Sequence, residues 1–145
     1  MHIEKVSRIT EEIFNAVQRL DPLLGSHKPK PSSEDLFALV NSEASTLLIA
    51  RFPDGHAQIA GMLTISIYRV PTGRRSIVED LAVDTGYRNK GVAKALLLSA
   101  AELAREAGAN GIALTSNPGR VEANRLYLSM GFQMRETNAY FFYLK

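Results

Sequence analysis

The stretch with the clearest chemical potential is Val83 to Ala95, VDTGYRNKGVAKA. A strand predicted over Ser76–Asp84 runs into a short loop, and the loop opens directly into a helix. Gly91 has no side chain, so a ligand can approach the backbone there. The first N–H groups of a helix have no partner inside it and sit at the positive end of its dipole. Arg88, Asn89, Lys90, Gly91, Val92 and Ala93 therefore form a candidate anion site, with phosphate the usual anion. Arg88, Lys90 and Lys94 add positive charge around it. The plainer alternative is an ordinary strand-to-helix turn with solvated cations, because short glycine patterns recur by chance.

A second constellation is Asn117 to Phe132, NPGRVEANRLYLSMGF. On a helix Arg120, Asn124 and Tyr127 fall on one polar line. The Tyr127 phenol can donate a proton; a half-buried tyrosine with a wet hydroxyl is the simpler account. A third feature is Glu79-Asp80 in VEDLAVD, just ahead of the loop. Adjacent strand residues point to opposite faces of a sheet, so one carboxylate is expected on each. A carboxylate leading into a ligand loop is a candidate base; pairing with Arg74 or Arg75 is the alternative.

These residues need a scaffold, and the periodicity supplies one. His2–Val6 reads as a short strand. Thr10 is a plausible N-cap for a helix through Leu20, ended by Asp21-Pro22. Leu23–Pro31 is a loop. Ser32 or Ser33 caps a second helix with Glu34 and Asp35 in its first turn. Thr46–Phe52 and Gln58–Val70 are strands joined by a turn at Pro53-Asp54-Gly55. In the second of these, Ile59, Gly61, Leu63, Ile65 and Ile67 are expected on one face, with Met62, Thr64, Ser66 and Tyr68 on the other. A helix from about Lys90 to Ala107 stops at Gly108. Gly111–Ser116 is a short strand. Asn117 caps a last helix with Pro118 at its first position, ending at Gly131. Phe132–Arg135 and Ala139–Leu144 read as two final strands. Antiparallel hairpins come first, and Ser76–Ser116 should form a right-handed parallel crossover. The expected fold is α/β (α+β), one domain over residues 1–145. A mixed, mostly antiparallel sheet of about six to seven strands carries about four helices.

Composition narrows the partners. The chain has 145 residues, a net charge of +2, no cysteine and three scattered histidines. Disulfides, thiolate metal sites and a cysteine nucleophile are excluded, and no metal cluster is expected. The charge excess is too small to argue for nucleic acid. No apolar run approaches the roughly 20 residues of a membrane helix. The start, MHIEKVSRIT, lacks the apolar core of a secretory signal, so a cytoplasmic protein is expected.

The two constellations together resemble the GNAT superfamily of acetyl-CoA-dependent N-acyltransferases. Its pyrophosphate motif has Gln or Arg, two residues, Gly, one residue, then Gly or Ala. Here it stands as Arg88-Asn89-Lys90-Gly91-Val92-Ala93. Its later pattern stands as Asn117, Asn124, Tyr127 and Gly131-Phe132. The resemblance covers nearly the whole chain and implies the following. Amides from Arg88 to Ala93 hold the CoA pyrophosphate. The backbone of Leu81, Ala82 and Val83 pairs with the pantetheine arm as an added strand would. A bulge in that strand splays it from Gly111–Ser116, and the thioester sits in the gap. Asn117 and Asn124 match positions that often touch the cofactor, and Tyr127 matches the usual general acid. Acetyl-CoA is the implied co-substrate, without a metal, and family members are often homodimers.

The implied reaction is direct transfer of acetyl to a primary amine of a small molecule or peptide. Glu79, through a water, is the first candidate base and Asp80 the second. Tyr127 protonates or hydrogen-bonds the leaving thiolate; its ordinary pKa of about 10 exceeds a thiol's of about 8.5, which favours hydrogen bonding. A non-catalytic acyl-CoA-binding sensor is the alternative, and Tyr127 with the carboxylates argues against it. A nucleotide-binding reading is opposed by GVAKA, which lacks the Gly-Lys-Ser/Thr ending of a P-loop. The acceptor pocket is expected from LDPLLGSHKPKPSS and NAYFFYL. His27, Lys28 and Lys30 would favour an acceptor with an anionic group. The sequence shows no acidic cluster outside Glu11-Glu12 and the first turn of the second helix, which makes polyamines slightly less favoured.

Overall fold

Local rules set each end of the first elements in this computed structural model, which describes residues 1–25 and 29–144. Strand β1 (His2–Lys5) leads to Thr10, whose extended backbone and Oγ1, accepting the Ile13 N–H at 3.2 Å, start α1 (Glu11–Leu20). A one-turn 3₁₀ helix, Asp21–Leu24, follows, with Pro22 in its first turn. Ser32 and Asp35 form a reciprocal capping box at the start of α2 (Ser33–Val40). The Ser32 N–H held by the Asp35 carboxylate keeps that carboxyl below its usual range. Of the expected anion-binding residues on the connecting loop, His27 and Lys28 lie outside the described residues, and Lys30 is exposed.

The chain divides into two units, Met1–Leu114 and Thr115–Lys145. The first holds one mixed sheet in the order β1-β2-β3-β4-β5. Strands β2 (Ser45–Arg51), β3 (Ile59–Val70) and β4 (Gly73–Val83) extend the antiparallel ladder begun by β1. Helix α3 (Val92–Glu106) then carries the chain to β5 (Ile112–Ala113), which lies parallel to β4. The expected mixed, mostly antiparallel α/β sheet is therefore present.

Five strands and four α-helices form among the described residues, fewer strands than the six to seven expected. The last two expected strands, Phe132–Arg135 and Ala139–Leu144, have no ladder partner and are irregular. The strand expected over Gly111–Ser116 is reduced to its two paired residues.

Two bulges decide which side chains face where. Arg51 is opposite Ile59 while Ala50 is opposite Gly61, so Ala60 is an extra residue in β3. Ile59 consequently joins Met62 in the core under α1 and α2, with Ala16, Val17, Leu20, Leu36 and Ile49. Gly61 faces α3, where an added Cβ would stand 3.0 Å from Val92 and 3.3 Å from Leu96. Strict alternation had put Ile59 and Gly61 on one face; the extra residue inverts that pairing. Leu20, Leu63, Ile65 and Leu96 are fully buried, each worth about 1.5–3 kcal/mol of transfer free energy.

The second unit contains α4 (Val121–Ser129), whose N-cap is Arg120. Asn117 was expected to cap it directly. Instead its Oδ1 accepts the Gly119 N–H at 2.8 Å and its carbonyl accepts the Arg120 N–H at 3.0 Å. The side chain closes a turn ahead of the helix, an asparagine's usual competing use.

Candidate active site

The second bulge lies where a ligand strand could be added. Glu79 is opposite Thr64 and Ala82 is opposite Met62, so Asp80 and Leu81 together face the single residue Leu63. Asp80 has φ +52°, a left-handed conformation that Asp tolerates better than most residues. Both Glu79 and Asp80 are exposed. Simple alternation had sent them to opposite faces. The ladder instead puts Glu79 on the face of Thr64, Met62 and Ala82, the side covered by α1 and α2, while Asp80 forms the bulge.

On its other edge β4 pairs with β5 only at Ser76–Ile112 and Ile77–Ala113. From Val78 to Val83 that edge has no partner strand among the described residues. The Asp84 N–H donates to the Ala60 carbonyl at 2.8 Å on the β3 side. By the alternation of antiparallel bonds, the Val83 amide points to the open edge. Leu81, Ala82 and Val83 thus lie on an edge able to accept an extended ligand.

Asp84 fixes the corner that follows. Its Oδ1 accepts the Gly86 N–H at 3.1 Å, which winds the 3₁₀ turn Thr85–Tyr87. Its Oδ2 takes the Arg19 Nε–H at 3.1 Å, and Arg19 also donates to the Ile59 carbonyl at 2.7 Å. Arg19 on α1 therefore ties the helix to both β3 and the loop, a role no periodicity in the sequence announces. Phe52 packs edge-on to Tyr87 at 6.0 Å between ring centres, and the Lys90 ammonium lies 5.8 Å over the Phe52 ring.

The loop then presents its amides. Asn89 (φ +61°) and Gly91 (φ +82°) are left-handed, and Gly91 caps α3 with no side-chain hydrogen bond. Among the described residues the amides from Arg88 to Lys94 donate to no acceptor in the chain. Arg88, Asn89, Lys90 and Gly91 are exposed, Ala93 is half-buried, and Val92 is buried as the anchor of α3. A Cβ on Gly91 would meet nothing within 4 Å, so the space above it is open. An anion-binding turn of this kind fits a pyrophosphate.

In the second unit the Asn124 Nδ2 donates to the carbonyls of Asn117 at 3.0 Å and Arg120 at 2.8 Å. The amide groups of Asn117 and Asn124 thereby serve the turn and first helical turn. Tyr127 is buried, at 8% exposure, edge-on to Phe132 with ring centres 5.9 Å apart. Burial pushes its phenol above the ordinary value of 10.0, and the Arg120 charge pulls the other way. The phenol stays protonated at neutral pH. The Ser116 Oγ is buried and unpartnered among the described residues, a feature the sequence did not single out.

Two features lie elsewhere or were missed. An apolar groove of about 540 Å³ at the N-terminal ends of α1 and α2, with Ile9, Phe14 and Phe37 in its wall, includes none of the candidate residues. The 3₁₀ helix Asp21–Leu24 packs against β4, so a third carboxylate, Asp21, sits on an element adjoining the strand of Glu79 and Asp80. Sequence distance hid that grouping. Among the described residues no cluster of His, Asp and Glu could hold a metal ion, and no helix is long and apolar enough to cross a membrane.

Comparison with known proteins agrees with this geometry. Residues 10–132 match the model of the acetyltransferase (GNAT) family. N-acetyltransferase 8B of Rattus norvegicus is 34% identical over 86 residues, covering 58% of this chain and 38% of that protein. The chain thus spans well under half the length of that relative. Among solved structures, the aminoglycoside acetyltransferase meta-AAC0020 from an uncultured soil metagenomic sample, in complex with trehalose, superposes with a TM-score of 0.80. It is 22% identical, with 99% of this chain and 95% of that one covered. Aminoglycoside antibiotic 6'-N-acetyltransferase AAC(6')-IG from Acinetobacter haemolyticus gives 0.78 at 22% identity, covering 100% and 99%. AAC(6')-Iy in complex with a CoA-containing bisubstrate analogue gives 0.75 at 19%, covering 100% and 99%. These structures share the fold, and the family match spans most of the sequence: the chain belongs to the GNAT acetyltransferase family.

Proposed function

We propose that this protein transfers the acetyl group of acetyl-CoA to a primary amine by direct attack in a ternary complex. The observation that carries the reading is the pairing of a bulged, half-open β4 edge with the free amides from Arg88 to Lys94. The first offers Leu81–Val83 to a pantetheine arm, and the second offers a seat to its pyrophosphate. Arg88, Asn89, Lys90, Gly91, Val92 and Ala93 hold that pyrophosphate chiefly through backbone N–H groups. Asn117 and Asn124 shape the turn ahead of α4.

A primary amine is protonated at pH 7 and must lose a proton before attack. Glu79 takes it through a water, and Asp80 is the second choice. The amine nitrogen then bonds to the thioester carbonyl carbon. Backbone N–H groups of the Leu81–Val83 edge stabilise the oxyanion. The C–S bond breaks as the carbonyl re-forms, the nitrogen passes its second proton through water to the departing thiolate, and Tyr127 hydrogen-bonds that sulfur. Its raised pKa makes the phenol a still weaker acid, which favours hydrogen bonding over full proton transfer.

For the acceptor, Asp21 stands on an element that packs against β4, the strand that carries Glu79 and Asp80. This supports a cationic small-molecule amine and revises the lower standing that the sequence gave to polycations. The aminoglycoside acetyltransferases that share the fold fit the same chemistry. No observation favours the non-catalytic acyl-CoA sensor.

The test is acetyl-CoA-dependent thiol release over a panel of aminoglycosides, polyamines, amino acids, amino sugars and short peptides, with a no-acceptor blank. Release is expected with cationic amines above the blank. Tight acetyl-CoA binding without release from any amine would replace catalysis by the sensor reading.

A further inference from the structure

The corner that carries the free amides is tied to a helix distant from it in sequence. Arg19, in the last turn of α1, reaches it with two nitrogens. Its Nε–H donates to Asp84 Oδ2 at 3.1 Å, and its Nη2 donates to the Ile59 carbonyl at 2.7 Å. The next carbonyl along, that of Ala60, accepts the Asp84 N–H at 2.8 Å. Asp84 is thus gripped by both backbone and side chain at the start of β3. Its other carboxylate oxygen, Oδ1, accepts the Gly86 N–H at 3.1 Å. Its carbonyl accepts the Tyr87 N–H at 2.9 Å and closes the turn Thr85–Tyr87. Arg88, the first residue of the free run, follows directly.

We propose that Arg19 is a positioning residue for acetyl-CoA. By holding Asp84 it fixes the turn Thr85–Tyr87, and through that turn the direction of the amides from Arg88 to Lys94. The inference rests on the acetyl-transfer reading for the identity of the bound anion. The residue type suits the task. A planar guanidinium presents donors at fixed angles and serves a carboxylate and a carbonyl together, whereas a lysine ammonium lacks that fork. The side chains of Arg19 and Asp84 are 48% and 24% exposed. An ion pair this open adds little to global stability; its effect is local, on which way the turn points. With the tie broken, Asp84 keeps one of its two side-chain bonds and can swing about it. The ligand must then order the amides as it binds, which lowers affinity.

Titration calorimetry with acetyl-CoA is the test. Arg19→Gln should weaken binding about 10-fold, with one site per chain kept and a near-native urea midpoint. A merely structural role would lower the number of sites and leave their affinity. Arg105→Gln removes an exposed arginine of α3 that pairs with Glu102, so it controls for lost charge, and its affinity should be native. Asp84→Asn separates positioning from direct contact. Its amide keeps one acceptor oxygen where Asp84 uses two, so the chain of bonds from Arg19 to Gly86 is already broken. Adding Arg19→Gln there should change affinity by less than about twofold. A further loss of about 10-fold in that background would make Arg19 a direct ligand contact and overturn the proposal. So would native affinity in Arg19→Gln, or an equal loss in Arg105→Gln. A native chain that binds no acetyl-CoA would instead sink the acetyl-transfer reading, and NMR amide exchange then judges the tie by itself. Gly86 and Tyr87 should exchange at least about threefold faster in Arg19→Gln than in the native chain, and equal rates overturn the inference.

Discussion

Among the described residues, the corner from β4 to α3 and the segment after α4 both leave a run of backbone amides unpaired, yet their surroundings differ. In the first, every neighbour of the free amides is fixed. Asp84 winds the preceding turn, Arg19 holds Asp84, and Gly91 and Asn89 supply the left-handed backbone. Arg88, Lys90 and Lys94 stand in the same stretch as the free amides, which suits it to the anion proposed above. In the second, no such fixing exists, and the side chains are aromatic and exposed. A set of free amides shaped by its neighbours suits a ligand, whereas the aromatic segment has no such shaping among the described residues.

Charge at the seat is the strongest way to break this distinction. Gly91→Asp should weaken acetyl-CoA binding by about 100-fold or more, close to 2.7 kcal/mol, read by titration calorimetry. A side chain there meets open space, so bulk contributes little. The left-handed backbone adds a separate cost of about 1–2 kcal/mol to stability, and Gly91→Ala isolates that cost. Unchanged affinity in Gly91→Asp would move the cofactor to another part of the molecule.

Next in size is Tyr127→Phe, which tests a side chain where the first variant tests backbone. Turnover should fall about 10- to 100-fold, the low end for a proton donor in a transition state, with acetyl-CoA affinity nearly unchanged. The ring and its edge contact with Phe132 are kept, so the fold persists. Equal turnover would remove Tyr127 from the chemistry.

The bulge gives a subtler separation. Asp80 owes its place to a left-handed backbone, which glycine accepts without strain. Asp80→Gly should keep turnover within about threefold, whereas Glu79→Gln should lower it by about tenfold or more. The reverse pattern of kcat values would make Asp80 the base and Glu79 a surface carboxylate.

How far the sequence could be read follows the range of the interactions. The capping residues Thr10 and Ser32 and the glycine at Gly91 act within one turn of chain, and each was legible. The sheet class followed from strand length and alternation. The extra residue at Ala60 escaped, and the bulge at Asp80-Leu81 was expected only through the family resemblance, because a bulge is set by the partner strand's register and not by local pattern. Asn117 was misread because its side chain can close a turn as readily as cap a helix. Ala139–Leu144 was expected to be a strand from its aromatic composition and is irregular instead. A ladder needs a second strand, and composition does not say where that strand comes from. Arg19 was invisible for a simpler reason: its partner lies 65 residues away.

The smallest expected effect lies at a corner outside both of these regions. Arg51 on β2 donates to Glu4 at 3.0 Å and, through both terminal nitrogens, to Glu12 on α1 at 2.7 and 2.8 Å. Hydrogen bonding from Arg51 holds the Glu12 carboxyl below its ordinary value of 4.5, against the opposing effect of burial. A folded pKa below the unfolded one gives stability that is complete above the unfolded value and lost as pH falls through the folded one. The contribution should therefore be full above about pH 5 and fade below 4.5. Because the Glu12 side chain is 55% exposed, solvent screening limits it to less than about 1 kcal/mol. Urea unfolding of Glu12→Gln against the native chain should show a difference at pH 7 that shrinks as the pH falls below 4.5. Acetyl-CoA affinity should be the same in both, since the hydrogen bonds of the fork join β1, β2 and α1 and none reaches Arg88–Ala93. A Glu12→Gln variant as stable as the native chain at pH 7 would reduce the fork to a surface contact. One that also loses acetyl-CoA would mean that the anion seat depends on side-chain ties across the whole α1 face, and not on its own backbone.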